Sequence, residues 1–345
     1  MKAYRLLEWQ QPAQLVDVPV PEPGPGEVLI RVGGAGACHS DLSVMEWPKG
    51  ALPFDVPFTL GHENAGWVEK LGPGTTGFSV GDPVAVYGPW GCGTCGACIR
   101  GMDNLCEHWR EPGHHRGGGL GKDGGMAEFM LVPSARFLVP LRDLDPAQAA
   151  PLSDAGLTPY HAIADSLDVL RPGSTAVVIG VGGLGHLGVQ ILKVISAARV
   201  IALDIAPERL ELARRLGADA TVISGPEAHL EVIELNRGVN PELVLDFVGN
   251  DRTLPLAGKL SKMRGRVVVV GIAGGALPWG FGHVAQESEW VVSSWGSLPE
   301  LHDVIALAEA GRLQSEITTF PLDRVGDAYR ALHGGKLLGR AVVTP

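Results

Sequence analysis

Residues 175–190 read TAVVIGVGGLGHLGVQ, and this stretch decides the fold of the chain. TAVVI is an apolar run with the length of a buried strand, and the glycines after it form the pattern GxGxxG at the start of a helical sequence. Glycine at these positions allows a tight turn and lets a pyrophosphate approach the backbone at a helix N-terminus. The stretch therefore predicts a βαβ unit that binds a dinucleotide through Gly180, Gly182, Gly183, Leu184 and Gly185.

The chain beyond this turn continues the alternation of strand and helix. RVIALD, ATVI, ELVLDF and GRVVVVGI read as strands, and PERLELARRLG and the segment 226–236 read as helices. Such alternation predicts a doubly wound parallel sheet. Asp204 ends the second strand, where a carboxylate accepts hydrogen bonds from ribose hydroxyls and repels a 2′-phosphate. We therefore expect NAD as the cofactor, although Arg209, one helical turn later, is of a type that can bind that phosphate.

The N-terminal part of the chain has a different rhythm. Short β-like runs at 27–32, 65–70 and 82–86 are separated by proline and glycine, which predicts an irregular, mainly β domain. From about Ser297 the chain has an amphipathic helix at 299–311 and a closing GRAVVTP. We predict a two-domain α/β protein: a mainly β domain at 1–155, completed by 297–345, and a nucleotide-binding domain at 156–296.

Composition limits the function classes. The 345 residues carry a formal charge of −10, which makes nucleic acids and anionic membranes poor partners because both need a cationic surface. No apolar run reaches 18 residues, and the N-terminus has no apolar stretch of the kind that directs export. These features predict a cytoplasmic protein that acts on a small molecule.

Four of the five cysteines lie within one glycine-rich loop, at Cys92, Cys95, Cys98 and Cys106. The two-residue gaps let successive thiolates turn toward one tetrahedral centre, and four thiolates close a zinc site completely. An iron–sulfur cluster also takes four cysteines, but no other redox motif accompanies this loop. We therefore predict a structural zinc ion, with no position open for a substrate.

The fifth cysteine, Cys38, stands in GACHSDL, and His62 stands in LGHE. One thiolate and one imidazole, with a third ligand from elsewhere, would leave a position open for substrate on a catalytic zinc. This pair is a weak signal by itself, because an isolated cysteine or histidine is more often part of a core.

CHSD, GHE, the four-cysteine loop, DAGLTPYHA and GVGGLG occur here in the order found in zinc-dependent medium-chain alcohol dehydrogenases, and the chain resembles bacterial NAD-dependent secondary alcohol dehydrogenases most. The resemblance implies a GroES-like catalytic domain, a Rossmann domain, and two zinc ions per subunit. It also implies that Cys38, His62 and Asp154 bind the catalytic zinc, with Glu63 beside it. Many relatives have a second cysteine where this chain has Asp154. Ser153 is too weak a ligand to replace it, and the motif does not support Asp165.

The resemblance assigns a proton relay to the residues after Cys38. Ser40 corresponds to the hydroxyl that bonds the alcohol oxygen, and several relatives end the relay on a histidine three residues later, where this chain has Ser43. His39 is our candidate for the terminal base, acting through the cofactor ribose, although a simple contact with the cofactor phosphates is equally compatible. Asp41 is expected to orient a zinc ligand or Ser40.

The resemblance implies further contacts with the cofactor and substrate. The residues expected at the nicotinamide or the pyrophosphate are Thr158, Val270, Gly271, Trp295 and Arg340, and Arg209 is expected on the adenine side. The residues expected to line an apolar substrate pocket are Phe54, Leu120, Ile272 and Trp295, with Trp47 as a further candidate, although each could equally belong to a core. An apolar pocket suits secondary alcohols and ketones better than polyols.

The sequence also bears on the loop histidines, on alternative functions and on assembly. His108, His114 and His115 are interpreted as residues of a solvated loop and not as metal ligands. The alternative functions are an aromatic primary alcohol or polyol dehydrogenase of the same superfamily, or a non-catalytic protein that binds zinc and a nucleotide. A zinc-free quinone reductase is disfavoured by the cysteines. Relatives assemble through the edge of the Rossmann sheet, which implies a homodimer or a homotetramer.

Overall fold

The computed structural model describes residues 1–345 and divides into two compact units. The first unit comprises Met1–Leu157 and Gly296–Pro345, and the second comprises Thr158–Trp295. The first unit therefore contains both ends of the chain, and the second is a continuous segment.

The strands in chain order are β1 Lys2–Leu6, β2 Gln14–Asp17, β3 Val28–Ala37, β4 Phe58–Thr59, β5 Glu63–Leu71, β6 Pro83–Val86, β7 Gly117–Gly118, β8 Gly121–Lys122, β9 Phe129–Val132, β10 Leu138–Pro140, β11 Thr175–Ile179, β12 Arg199–Asp204, β13 Ala220–Ile223, β14 Leu243–Asp246, β15 Arg266–Val269, β16 Glu289–Val292, β17 Ile317–Pro321 and β18 Arg340–Thr344. The α-helices are α1 His39–Glu46, α2 Gly96–Ile99, α3 Pro146–Ala149, α4 Leu157–Ala164, α5 Gly185–Ile195, α6 Pro207–Arg215, α7 Ala228–Leu235, α8 Thr253–Leu260, α9 Leu298–Glu309 and α10 Val325–His333. None of the helices has the length and apolar character needed to span a bilayer.

The first unit is built on a sheet in the order β10-β6-β5-β3-β18-β17, with β9 also paired to β3. The pairs are antiparallel except for β17 and β18, which run parallel. β3 is the longest strand, and its apolar residues Val28, Leu29, Ile30 and Val32 are buried. Since β18 pairs directly with β3, the C-terminal strand completes the sheet that the N-terminal strands begin.

The second unit is a parallel sheet in the order β13-β12-β11-β14-β15-β16. Strands β11, β12 and β14 read as nearly continuous apolar runs because the interior strands of such a sheet are covered on both faces. The strand order reverses between β11 and β14, and this is the position at which doubly wound sheets bind nucleotides. The doubly wound parallel sheet predicted from the sequence is confirmed.

Several elements carry no clear sequence signal. α8 contains a proline and a glycine within TLPLAGKL, which hide its helical pattern. β16 is a four-residue strand at the edge of the sheet, and neither β16 nor β17 has a buried residue, so neither shows a buried face. These elements form because tertiary pairing partners are available, and local propensity does not reveal them.

Candidate metal centres and nucleotide site

The four loop cysteines converge in the structure. One Sγ atom from each of Cys92, Cys95, Cys98 and Cys106 lies within 4.8 Å of the others, and all five cysteines of the chain are free thiols. Backbone N–H groups of Thr94 and Cys95 donate to Cys92 Sγ at 3.4 and 3.3 Å. Four sulfur atoms at these separations match the donor set of a closed, tetrahedral zinc site.

Hydrogen bonding in this lobe favours thiolate at Cys92 and Cys95, because backbone N–H groups of Cys98 and Glu107 lower the pKa of Cys95. Hydrogen bonds from the side chain and backbone of Thr94 lower the pKa of Cys92 to about 5, whereas burial raises the pKa of Cys98. Cys92 is therefore ionised near neutral pH, which prepares it to act as a metal ligand.

The lobe is anchored by a buried carboxylate. Asp103 accepts from the Gly91 backbone N–H at 3.1 Å and forms an ion pair with Arg136, whose Nη2 lies 2.6 Å from Asp103 Oδ1. A Cβ atom at Gly91 would overlap Cys98 Sγ, so glycine is required where the chain passes the cluster. The cysteine loop is thus attached to the sheet by groups that the cysteine spacing alone does not reveal.

The three loop histidines occupy different environments. His108 is partly exposed and pairs with Glu111, with 2.7 Å between Nδ1 and Oε1. His114 Nε2 lies 3.9 Å from Cys106 Sγ. His115 is half-buried with its ring edge-on to Trp90, and burial lowers its pKa to about 4. All three histidines are partly buried, so the loop that carries them is less open to solvent than the sequence interpretation supposed.

A second cluster forms where β3 ends and β5 begins. One ligand-type atom from each of Cys38, His62, Glu63 and Asp154 lies within 4.8 Å of the others. Asp154 Oδ2 is 4.0 Å from Cys38 Sγ and 3.7 Å from His62 Nε2. The antiparallel register of β3 and β5 explains the meeting of Cys38 and His62, because it pairs Gly36 with Glu63. These separations suit three ligands of one zinc ion.

Asp41 lies behind this cluster and fixes the orientation of His62. Its Oδ1 is 2.9 Å from His62 Nδ1, and its Oδ2 accepts from the Cys38 backbone N–H at 3.0 Å. The Nδ1 atom of His62 is therefore the donor, and Nε2 is the atom that faces Cys38 and Asp154. Ser40 Oγ lies 3.2 Å from the same Nε2. The structure thus brings together Cys38, His39, Ser40, Asp41, His62, Glu63 and Asp154 at the junction of β3 with α1.

The charges around the cluster favour the ligand forms of two groups. Burial raises the pKa of Cys38, but the charges of Arg340 and His62 outweigh burial and lower it overall. Burial likewise raises the pKa of Asp154, and hydrogen bonding and charge from His62, with the charge of Arg340, lower it well below its usual range. Thiolate and carboxylate are the forms that bind zinc.

Arg340 occupies a position that the sequence did not indicate. The resemblance implied a contact with the cofactor, but here the guanidinium is fully buried and bonds Glu63, with 2.9 Å between Nε and Oε2 and a second bond between Nη2 and Oε1. Its Nη2 also lies 3.8 Å from Asp154 Oδ2. Pairing of β18 with β3 causes this placement, since Ala341 lies opposite Ala37. The contact of Arg340 with a cofactor stays a prediction.

The glycine turn of the second unit has the geometry of a phosphate site. Gly180 ends β11 with φ +88°, which favours glycine, and a Cβ at Gly185 would overlap the Gly180 carbonyl oxygen. A Cβ built at Gly182 would meet no atom within 4 Å, so the backbone there is open to a ligand. Gly183 and Leu184 complete the turn that leads into α5. Close packing at two glycines and open space at the third match the needs of a pyrophosphate.

Asp204 lies beside this turn at the end of β12. Its Oδ2 accepts from the Val181 backbone N–H at 2.7 Å, and its Oδ1 accepts from Ala206 at 3.0 Å. Arg209 Nη1 lies 3.8 Å from Oδ1, so its charge is partly balanced by Asp204. The carboxylate is therefore held rigidly at the edge of the glycine turn, at the position where an acidic residue disfavours a 2′-phosphate on the adenosine ribose.

The remaining predicted residues are distributed between the two units. Phe54 is buried edge-on to Phe58, Leu120 is half-buried, and Trp47 is exposed in the first unit. In the second unit Thr158 is buried in α4, Val270 and Gly271 follow β15, Ile272 is 57% exposed, and Trp295 is buried with φ 57°. Their contacts with cofactor or substrate stay predictions.

The chain is similar to known dehydrogenases over both of its units. Residues 24–143 match the alcohol dehydrogenase GroES-like domain, and residues 183–310 match the zinc-binding dehydrogenase family. The chain is 36% identical to a D-arabinose 1-dehydrogenase (NADP(+)) of Saccharolobus solfataricus, covering 100% of this chain and 97% of the relative. It is also 36% identical to an NAD-dependent alcohol dehydrogenase of Sulfurisphaera tokodaii, covering 100% of both.

Among solved structures, the alcohol dehydrogenase of Aeropyrum pernix superposes with a TM-score of 0.92 at 38% identity, and 100% of both chains is covered. The similarity therefore runs through both units and includes the segments that carry the two clusters and the glycine turn. Full-length matches of this kind, on a chain with a thiolate–imidazole–carboxylate cluster in one unit and a dinucleotide-binding fold in the other, establish that it belongs to the zinc-dependent medium-chain alcohol dehydrogenase family.

Proposed function

We propose that this protein interconverts secondary alcohols and ketones with NAD as the hydride carrier. The observation that carries the proposal is the convergence of Cys38, His62 and Asp154 in one buried cluster, with His62 oriented by Asp41. A non-catalytic protein that binds zinc and a nucleotide would not need three ligands with a coordination position left over.

Two zinc ions are proposed, each with a different donor set. The four loop cysteines hold the structural ion, and the catalytic ion is held by Cys38, His62 and Asp154. Glu63 is close enough to be a fourth ligand, but its carboxylate is bonded to Arg340 on both oxygens. The catalytic zinc, when bound, lowers the pKa of an alcohol hydroxyl and polarises a ketone carbonyl.

Proton transfer is assigned to Ser40 and His39. Ser40 Oγ lies within hydrogen-bonding distance of the ligand atom of His62, so a substrate oxygen beside that atom can donate its proton to Ser40. His39 is the adjacent residue and is exposed, so its imidazole can pass the proton on to water. A contact of His39 with the cofactor phosphates remains the other interpretation of this residue.

NAD is proposed to bind the second unit through the glycine turn and Asp204. The turn offers backbone N–H groups at the N-terminus of α5, and Asp204 is the acceptor for the ribose hydroxyls. NAD held by these residues would supply the hydride acceptor for oxidation of the alcohol. One relative is named for NADP(+) and another for NAD, so the residues around Asp204 decide between them in this chain.

The apolar residues of the catalytic unit indicate the substrate class. Phe54 and Leu120 are apolar residues of the catalytic unit, and an apolar lining favours secondary alcohols. The relative named as a D-arabinose dehydrogenase keeps a polyol or sugar substrate as the second candidate, and an aromatic primary alcohol is the third.

We also propose that the protein is a homodimer formed at strand β16. This strand is the last in its sheet, so its outer backbone groups have no strand partner, and its final residue, Val292, is 86% exposed. Phe281 is 91% exposed in the loop before β16. A second copy can pair its own β16 antiparallel across a twofold axis and cover both residues. The tetramer and the cytoplasmic location expected from the sequence stay predictions.

Kinetics on three alcohols test the substrate class. We expect kcat/KM for 2-butanol to exceed that for sorbitol by at least about tenfold, because an apolar pocket leaves polyol hydroxyls without partners. NADH formation is followed with 2-butanol, sorbitol and benzyl alcohol under identical conditions. A higher kcat/KM for sorbitol or benzyl alcohol contradicts the proposal and supports the corresponding alternative.

Two cysteine variants separate the metal sites. In Cys38→Ala we expect two zinc ions per chain to fall to one, with activity lost and thermal stability kept, because the catalytic ion loses its thiolate. In Cys95→Ser we expect loss of the other zinc and partial unfolding, because a closed structural site contributes folding energy. Zinc content, turnover and thermal midpoint are measured on both. One zinc in the wild type, or activity that survives Cys38→Ala, means that the catalytic assignment is wrong.

Cofactor choice is tested by Asp204→Asn. Removing the charge weakens the hydrogen bonds to the ribose, and a charged hydrogen bond contributes about 1.5 kcal/mol or more to binding. We therefore expect KM for NAD to rise about 10-fold and the relative use of NADP to increase. Glu208→Gln removes an exposed carboxylate on the neighbouring helix α6 and serves as the matched control. Equal cofactor preference in the wild type and Asp204→Asn would refute the role of Asp204.

The dimer is tested by Val292→Lys. A lysine in an apolar interface loses its hydration, so we expect the variant to sediment as a monomer at concentrations where the wild type is a dimer. Val80→Lys, at a position 66% exposed in the first unit, is the control and is expected to keep the wild-type mass. A wild-type protein that sediments as a monomer refutes the dimer itself.

A further inference from the structure

The hydrogen bonds of Asp41 include a donor that the proposed mechanism does not use. The Asp41 side chain is 0% exposed, and a buried carboxylate is costly unless it is bonded. His62 Nδ1 serves Oδ1, and the Cys38 backbone N–H serves Oδ2. The Tyr329 hydroxyl donates to the same Oδ2 at 3.0 Å. Two of these donors belong to proposed zinc ligands, whereas Tyr329 comes from helix α10 and is 288 residues away along the chain.

The direction of this hydrogen bond follows from chemistry. An ionised carboxylate is an acceptor, so the phenol must donate its proton to Asp41. Burial, and after it the charge of Asp41, raise the pKa of Tyr329 well above its usual value, which keeps the proton on the phenol oxygen. The bond is charge-assisted and therefore stronger than a bond between neutral groups.

The Tyr329 ring is held in place independently of Asp41. It is 4% exposed and stacks on Tyr4, with ring centroids 5.9 Å apart and planes at 23°. Tyr4 belongs to β1, so the ring of Tyr329 lies between an N-terminal strand and the Asp41 carboxylate. A ring fixed in this way keeps its hydroxyl at one position, and that position determines where Asp41 Oδ2 can be.

We propose that Tyr329 is a positioning residue of the catalytic metal centre, whose hydroxyl holds Asp41 in the rotamer that orients His62 toward Cys38 and Asp154. The inference rests on the proposed function, because it assumes that these three residues bind zinc. Tyr329 touches neither substrate nor ligand and acts through Asp41 alone. The C-terminal segment thereby supplies two buried groups to the cluster, since Arg340 on β18 reaches Glu63 and Asp154 from the same segment.

Loss of the hydroxyl has a predictable effect. In Tyr329→Phe the Asp41 Oδ2 keeps the Cys38 backbone donor but loses its fixed partner, so the carboxylate and the His62 ring gain freedom. Loss of a group that is hydrogen-bonded to a zinc-binding histidine typically lowers metal affinity about 10- to 100-fold. Tyr329 is one hydrogen bond further from the zinc than Asp41, so we expect zinc to dissociate about 3- to 10-fold faster from Tyr329→Phe. The phenylalanine ring keeps the stacking on Tyr4, so the fold is retained.

The experiment compares Tyr329→Phe with Tyr4→Phe in the full-length, zinc-loaded protein. Tyr4→Phe removes the hydroxyl of the stacked partner ring and leaves the bond to Asp41 intact, which makes it the matched control. The rate at which the zinc ion proposed at Cys38, His62 and Asp154, called the labile zinc, passes to a colorimetric chelator is measured first. The visible spectrum of the protein with Co²⁺ exchanged into the same site is recorded second, and the thermal midpoint third. We expect faster release and a shifted Co²⁺ spectrum in Tyr329→Phe alone, with similar thermal midpoints in both variants.

Contrary outcomes identify which idea fails. The positioning role is overturned if zinc release rates and Co²⁺ spectra are equal in the wild type, Tyr329→Phe and Tyr4→Phe. It is also overturned if the thermal midpoint of Tyr329→Phe falls while its Co²⁺ spectrum is unchanged. If the labile zinc is still present in Cys38→Ala, the proposed catalytic site is wrong and the Tyr329 inference falls with it. If Cys38→Ala lacks that zinc while Tyr329→Phe retains it normally, only the Tyr329 inference fails.

A second substitution keeps the test open if Tyr329→Phe does not fold. Replacing Tyr329 by 3-fluorotyrosine preserves the ring and makes the hydroxyl a stronger donor, because fluorine withdraws electrons from the phenol. We then expect zinc release slower than in the wild type. Release that is unchanged or faster overturns the positioning role.

Discussion

Pairing of β3 on both of its edges is the constraint on which the metal cluster depends. β5 lies on one edge and sets His62 and Glu63 opposite the end of β3, and β18 lies on the other and brings Arg340 to the same end. Gly36 permits this arrangement, since a Cβ at that position would overlap the Glu63 carboxylate. A shift of one residue in either register would turn these side chains to the opposite face of the sheet, so the register determines whether the cluster exists.

The buried Glu63–Arg340 pair serves the geometry of the cluster more than the stability of the fold. Burying both charges costs desolvation energy that their attraction offsets only when the hydrogen bonds are well formed, as the two bonds here are. The pair occupies the carboxylate of Glu63, so the three remaining groups present one thiolate, one imidazole and one carboxylate. An Arg340 left without Glu63 would be an unpaired buried charge, and this explains why the two residues depend on each other.

The two halves of the site solve different physical problems. The nucleotide turn needs backbone shape, and the glycines of one short segment, 180–185, provide it through local conformation and close packing. The metal cluster needs side chains of defined charge and orientation, and it gathers them from three distant segments, around Cys38, His62 and Asp154, with Asp41 fixing the ring of His62. Chemistry at the metal is therefore more dependent on tertiary structure than cofactor binding is.

The sequence by itself determined the features that are local in the chain. The glycine turn, the strand and helix alternation, and the four-cysteine loop within 15 residues all follow from short-range spacing, which backbone geometry translates directly into structure. Only the family resemblance indicated that Asp154 would join Cys38 and His62, because the residues around it form no pattern typical of a metal site. Arg340 at Glu63, Tyr329 at Asp41 and the edge strand β16 were decided by tertiary structure alone. Tyr329 and Arg340 lie 288 and 277 residues from Asp41 and Glu63, and β16 is an edge strand paired only with β15. Only strand register and helix packing bring such distant groups to one place.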